Sequence, residues 1–183
     1  MIKKREIQDA QALFPLLNDP AVKPYVREKA DSIEAYYFQV NKMIMQEENN
    51  ELISRTITDD WGSPIGAITL YDLSERTGFL ATWLGKPYFG KGYNQYAKEQ
   101  FLYELFVEHE IEVVFTKVNV VNSRSLAAME KIPYATRADE TYPQVYEAIN
   151  QGYKQYKLFA IHKDAFMLVM NEQETETIGE LNA

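Results

Sequence analysis

The sequence predicts an α/β fold, α+β in arrangement, built on a mixed and mostly antiparallel sheet. Three observations carry this. Two early segments place apolar residues at helical spacing. Three runs of strand character follow, separated only by turn residues. A strand then opens through a glycine loop directly into a long helix, and a β-branched run comes after that helix.

Met1 to Ile7 is short and suits a strand or a leading arm. Asp9 to Leu17 reads as a helix with Ala10, Leu13, Phe14 and Leu17 on one face, and Asn18-Asp19-Pro20 stops it. Ser32 is the N-cap of a second helix that runs to about Glu48, with Ile33, Tyr36, Tyr37, Val40, Met43 and Ile44 as its apolar stripe. Glu51 to Thr58 alternates as a strand, with Leu52, Ser54, Thr56 and Thr58 on one side and Ile53, Arg55 and Ile57 on the other. Asp59 to Pro64 is turn chemistry, Ile65 to Leu73 a strand with Gly66 at a close approach or bulge, Ser74-Glu75-Arg76 a turn, and Thr77 to Leu84 a third strand. Short turns make these three an antiparallel meander. Tyr93 to Phe106 repeats apolar residues at helical spacing. Glu112 to Val118 is a strand that follows a helix after a strand, so a right-handed crossover should set it parallel to Thr77–Leu84. Ser123 to Lys131 is a short helix ended by Pro133. Tyr134 to Arg137 suits a strand, Pro143 and Gly152 bracket a small helix, and Tyr153 to Ile161 is the final strand.

One domain is expected over residues 1–170, with residues 171–183 as a solvated, partly disordered acidic tail carrying Glu172, Glu174, Glu176 and Glu180. With 46% hydrophobic residues the chain is globular. It has no cysteine, which excludes disulfides and thiol chemistry and suits a reducing cytosol. His109 and His162 have no neighbours at metal-ligand spacing, so no metal is expected. No apolar run approaches membrane-spanning length and Met1 to Arg5 leads into no signal-peptide core, so a cytoplasmic protein without membrane contact is expected. The net charge of −8 repels nucleic-acid backbone and attracts cationic partners such as amines, though simple solubility also explains it. Monomer and homodimer both remain open.

The chemistry centres on the run from Thr82 to Lys98. Gly90 and Gly92 bracket Lys91, and the chain then enters a helix at Tyr93. A bare-backbone loop at a helix N-terminus presents free N–H groups and the positive end of the helix dipole to an anion, typically phosphate. Lys91 adds a mobile cation. There is no Gly-x-x-x-x-Gly-Lys-Ser/Thr and no third glycine for the dinucleotide fingerprint. Taken alone, the stretch is equally a tight turn.

A second stretch decides between these readings. In Val118-Asn-Val-Val-Asn122-Ser-Arg-Ser125-Leu-Ala-Ala-Met129-Glu-Lys131 a strand ends, an asparagine sits in the loop, and a serine follows three residues later on a helix. With the upstream glycine loop, this resembles the GNAT superfamily of N-acetyltransferases, in the branch typified by the ribosomal-protein acetyltransferases RimJ and RimL. The resemblance runs from the first helix to about Phe166. It implies the GNAT fold, with helices on both faces and a splayed parallel strand pair, and acetyl-CoA as cofactor. It implies pyrophosphate binding by Phe89, Gly90, Lys91, Gly92, Tyr93 and Asn94, and a pantetheine arm along the backbone of Trp83 and Leu84. Asn122 matches the asparagine that bonds the arm, and Ser125 the residue beside the thioester sulfur. The chain departs from the family pattern at Phe89, Asn94 and Tyr96. It also has Met129 where most members outside this branch carry a tyrosine acid, which raises Ser125 as the catalytic substitute.

Each residue also has a plainer reading. Asn122 suits a helix cap, Ser125 a first-turn helix position, Lys91 a solvated side chain and Trp83 a core residue. The tyrosines at 134, 142, 146, 153 and 156 suit core packing or an acceptor pocket. The reading that results is direct acetyl transfer from acetyl-CoA to a primary amine, a protein N-terminus or a small cationic amine. A carboxylate among Asp72, Glu75 and Glu140 would serve as base, and a backbone N–H of the Trp83–Leu84 strand would polarise the carbonyl. The alternative is a non-catalytic module of the same fold that senses acyl-CoA or binds a protein.

Overall fold

In the computed structural model of the chain the first residues are a strand, not a free arm. β1 (Ile2–Lys4) pairs antiparallel with β2 (Ile53–Thr58), setting Ile2 opposite Ile57 and Lys4 opposite Arg55. The structure describes residues 1–153 and 155–181, without the side chains at 124, 174 and 176–181. The chain divides after Glu110 into two compact units.

In the first unit α1 (Asp9–Leu17) and α2 (Ile33–Glu48) precede the meander. Ser32 caps α2, its hydroxyl accepting the Ala35 N–H at 3.1 Å. β2, β3 (Pro64–Ser74) and β4 (Thr77–Leu84) form the expected antiparallel meander, with Arg55 opposite Ile68 and Ile68 opposite Thr82. A β-carbon at Gly66 would overlap the Trp83 carbonyl oxygen, so this glycine marks a close approach of β3 to β4. α3 (Tyr93–Val107) follows and buries Ala97, Phe101, Leu102, Leu105 and Phe106.

Strand β2 is buried on both sides, as the alternation alone does not reveal. One side carries Ser54 and Thr56 toward α1. The Thr56 hydroxyl donates to Asp9 at 2.6 Å, and the Ser54 and Thr69 hydroxyls share a bond of 2.8 Å. The other side carries Arg55, whose guanidinium donates to Glu47 of α2 at 2.6 Å and, through Nε, to Glu104 of α3 at 2.8 Å. Buried polar groups are tolerated here because each has its partner. The main core of α1, α2 and the strands gathers Leu13, Leu17, Tyr36, Val40, Ala67 and Trp83.

In the second unit β5 (Val113–Asn119) pairs antiparallel with β7 (Tyr156–His162), and β6 (Ala135–Arg137) takes the other edge of β7. α4 (Ser123–Met129) and α5 (Pro143–Ile149) lie between these strands in the chain. β7 starts three residues later than the pattern suggests. Asn150 closes the loop before it, accepting the Tyr156 N–H at 2.7 Å and donating to the Tyr156 carbonyl at 3.2 Å, while Tyr153 stays fully exposed. Val118, Met129 and Phe159 form a core cluster, and Tyr134 meets Phe166 edge-on with centroids 5.0 Å apart.

The largest departure is at the C-terminus. α6 (Lys163–Leu181) is a helix through the segment whose acidity suggests a partly disordered tail. Glu and Gln are good helix formers, and acidity reports solvation, not backbone state. The last two residues of the tail, 182 and 183, lie outside the described residues. Among the described residues no helix is long and apolar enough to cross a membrane.

Candidate functional site

The glycine loop is built from β4 outward. The Gly85 N–H donates to the Ile65 carbonyl at 2.8 Å, and a single 3-10 turn over Lys86–Tyr88 follows. Phe89 is packed against the main core, so the apolar residue at this position anchors the loop. Gly90 and Gly92 both take left-handed backbone, φ 72° and 86°. Only glycine adopts this region without strain. Gly92 is the N-cap of α3, and no side chain caps the helix. The first helical bond runs from the Tyr96 N–H to the Gly92 carbonyl at 3.2 Å. The N–H groups of Tyr93, Asn94 and Gln95 therefore emerge at the positive end of a 15-residue helix, where an anion is favoured.

The side chains around the loop hold it in place. Asn94 Oδ1 accepts the Thr82 hydroxyl at 3.1 Å, tying the first turn of α3 to β4. The Tyr93 hydroxyl donates to Asp60 at 3.3 Å, and Tyr88 meets Tyr93 edge-on at 6.1 Å. Lys91 is exposed, with Nζ 5.7 Å from the Tyr88 ring centre.

Trp83 and Leu84 are both buried at the end of β4. The Trp83 ring belongs to the main core, and its indole N–H donates to Glu28 Oε1 at 3.3 Å. Glu28 also accepts from Arg5 at 3.1 and 2.6 Å and from the Tyr36 hydroxyl at 3.1 Å. Arg5 Nη2 in turn donates to the Tyr36 oxygen at 2.8 Å. Burial works against the Arg5 charge, but the adjacent Glu28 carboxylate outweighs it and the Arg5 pKa rises. Burial, then the Glu28 charge, drives the Tyr36 hydroxyl upward as well. The sequence reading missed both Arg5 and Glu28. One ends a short strand and the other lies in a loop, so neither belongs to a periodic pattern.

The carboxylates considered as bases are Asp72, Glu75 and Glu140. Asp72 is held by both Nη atoms of Arg27, at 3.0 and 3.1 Å, and the Arg27 guanidinium covers the Tyr71 ring at 4.1 Å. Glu75 and Glu140 are exposed.

In the second unit Asn122 Oδ1 accepts the Ser125 N–H at 3.2 Å, so Asn122 is the N-cap of α4. This leaves its amide N–H₂ free to donate, with no partner among the described residues, so capping and ligand binding are compatible. Ser125 is half-buried. Met129 is 4% exposed in the core cluster of its unit, turned inward as an apolar side chain should be.

One cation stands apart in α3. Lys98 is half-buried beside Ala97 and Phe101 and has no ion-pair partner among the described residues. Burial pulls its pKa down to about 8.

Comparison with known proteins fits this geometry. A family model described as an acetyltransferase (GNAT) domain matches residues 1–134. No curated protein sequence matches the chain at a significant level. Among solved structures the chain is similar to spermidine N-acetyltransferase from Vibrio cholerae in complex with CoA and spermine. The TM-score is 0.72 at 15% identity, covering 91% of this chain and 97% of that one. A nucleotide-linked sugar GNAT, FdhC, gives a TM-score of 0.74 at 17% identity over 94% of this chain and 92% of that one. A probable acetyltransferase gives 0.70 at 24% identity over 89% and 92%. At these identities the likeness shows the fold.

Proposed function

We propose, for a chain that belongs to the acetyltransferase (GNAT) family and is thereby an acetyl-CoA-dependent acetyltransferase, that the acceptor is a cationic primary amine and that transfer to it is direct. The observation that carries the cofactor half of this reading is the uncapped start of α3 behind two left-handed glycines. Bound acetyl-CoA supplies an activated acetyl thioester. The backbone N–H groups from Gly90 to Asn94, with Lys91, hold its pyrophosphate. The backbone of Trp83 and Leu84 receives the pantetheine arm, and an N–H there polarises the thioester carbonyl. The Asn122 amide donates to the arm. The Ser125 hydroxyl donates a hydrogen bond to the departing sulfur, because Met129 cannot.

A single acetyltransferase domain over residues 1–170, a RimJ/RimL-like branch and a cytoplasmic setting complete the reading. The branch rests on the Gly90-Lys91-Gly92 loop together with Asn122-x-x-Ser125. The net charge of −8 favours an acceptor of opposite sign, and polyamine enzymes from Vibrio cholerae share the fold. A protein N-terminus satisfies the same chemistry. The test is thiol release from acetyl-CoA with a panel of polyamines, amino sugars and N-terminal peptides. Turnover with a polyamine or a peptide supports the reading. Turnover confined to uncharged or anionic amines overturns it.

A further inference from the structure

Trp61 is the most exposed tryptophan ring in the chain, 86% accessible against 8% for Trp83. It does not hang on a loose loop. Asp59, itself buried, accepts the Trp61 N–H at 3.0 Å and the Ser63 N–H at 2.8 Å with one carboxylate oxygen. The Asp59 N–H donates to the Ser63 carbonyl at 3.0 Å, and Gly62 completes the turn at φ 82°. A large apolar ring is thus presented to solvent by a rigid hairpin, where a bare tip would suffice to join two strands.

The same hairpin is tied to the glycine loop. Asp60, the neighbour of Trp61, accepts the hydroxyl of Tyr93, the first residue of α3. Tyr93 in turn meets Tyr88 edge-on, and Lys91 stands over Tyr88. One edge of the proposed pyrophosphate cradle is therefore aromatic and carries a cation, and Trp61 stands next in the chain to the Asp60 that joins it. In coenzyme A the group joined to the pyrophosphate, one ribose away, is an adenine. Its faces stack on aromatic rings, and the 3′-phosphate on the ribose between base and pyrophosphate favours a nearby cation. Asp59 is engaged by backbone N–H groups and Asp60 by Tyr93, and exposed Lys91 beside the Tyr88 ring is a cation on this edge of the loop.

From these contacts we infer that Trp61 is the stacking platform for the adenine of coenzyme A, with Lys91 on the side of the 3′-phosphate. This rests on the reading of the Gly90–Asn94 loop as the pyrophosphate site.

The test is calorimetric. Coenzyme A and 4′-phosphopantetheine, which lacks the adenosine part, are titrated into the wild-type protein, Trp61→Ala and Trp61→Tyr. Loss of a stacked base should weaken coenzyme A about tenfold in Trp61→Ala, leave 4′-phosphopantetheine unchanged, and be largely restored in Trp61→Tyr. Unchanged coenzyme A affinity in Trp61→Ala overturns the inference. So does equal weakening of both compounds, which would mean that the hairpin only steadies the loop through Asp60 and Tyr93. If coenzyme A does not bind the wild-type protein, the reading of the loop falls first and this inference with it.

Discussion

Trp83 and Glu28 lie 55 positions apart and meet at 3.3 Å, indole N–H to carboxylate, beneath the end of β4. The same carboxylate takes three more hydrogen bonds, two from Arg5 and one from Tyr36, so its accepting capacity is filled. Glu28 is 3% exposed and is therefore a structural anion, holding the loop between α1 and α2 against the strand that carries Trp83 and Leu84. Removing one partner of such a pair strands the other charge, at about 3–5 kcal/mol. Glu28→Ala is expected to lose stability of that order in urea unfolding. Arg27→Ala, which breaks the exposed pair with Asp72, is expected to lose less than about 1 kcal/mol. Equal effects would show that burial is not what gives the Glu28 pair its weight.

Gly92 is expected to be irreplaceable for binding but not for folding. A β-carbon there would meet nothing within 4 Å, so a larger residue is opposed only by the left-handed φ of 86°. That strain is about 1–2 kcal/mol, which a folded domain survives. Relief of the strain would re-aim the N–H groups at the start of α3. Gly92→Val should therefore stay folded by circular dichroism and bind acetyl-CoA much more weakly by titration calorimetry. Unchanged affinity would sink the phosphate-loop reading.

Much of this arrangement was legible in the sequence wherever a local rule decided it. β4 occupies Thr77–Leu84 and α3 begins at Tyr93 as the pattern and the glycines require. Ser32 caps α2 and Asn122 caps α4 because short polar side chains favour those positions. What was not legible depends on contacts between distant positions. Nothing near Glu28 in the chain announces Arg5, Tyr36 or Trp83. The alternation of β2 assigns neither side to solvent or core, and only Asp9, Glu47, Thr69 and Glu104 explain why Thr56, Ser54 and Arg55 are buried. α6 was missed for another reason: the composition of residues 171–181 suits a solvated helix as well as a tail.

Capture of the acceptor should weaken with salt. The chain carries −8, and attraction between exposed charges is screened within about 8 Å at physiological ionic strength. The expected outcome is a KM for the best amine that rises between low and high salt while kcat holds. A KM independent of salt removes the electrostatic part of the proposal.

Ser125 should matter for rate more than for binding. Its neighbour on the helix, Met129, is turned into the core and has no proton to give. The departing thiolate resembles a free thiol, with a pKa of roughly 8.5, so near neutral pH it benefits from a donor without demanding one. A hydroxyl donor then sits at or below the low end of general-acid effects. Ser125→Ala is expected to lower kcat about ten- to a hundredfold with little change in acetyl-CoA affinity. Wild-type kcat in that variant would show that the thiolate takes its proton elsewhere.

Lys98 supplies the last prediction, on pH. Burial holds its pKa at about 8, below the ordinary 10.5. In the unfolded chain the amine regains its ordinary value. Between about pH 8 and 10.5 the unfolded state therefore binds more protons than the folded one, and stability rises with pH through that window. Below about pH 8 both states carry the charge, and the penalty for burying it is present in full. Tyr71 opposes this at the alkaline end. Burial pushes it up to about 12, so the folded state keeps its proton longer, and stability falls as pH passes the ordinary tyrosine range. The difference between wild type and Lys98→Met removes that background. Lys98→Met is expected to be more stable by on the order of 1 kcal/mol or more at pH 7, the advantage shrinking toward pH 10. Urea unfolding of both proteins at pH 7, 8, 9 and 10 measures it. A constant difference across that range would mean that Lys98 stays charged in the folded protein and that its effect on stability lies in packing alone.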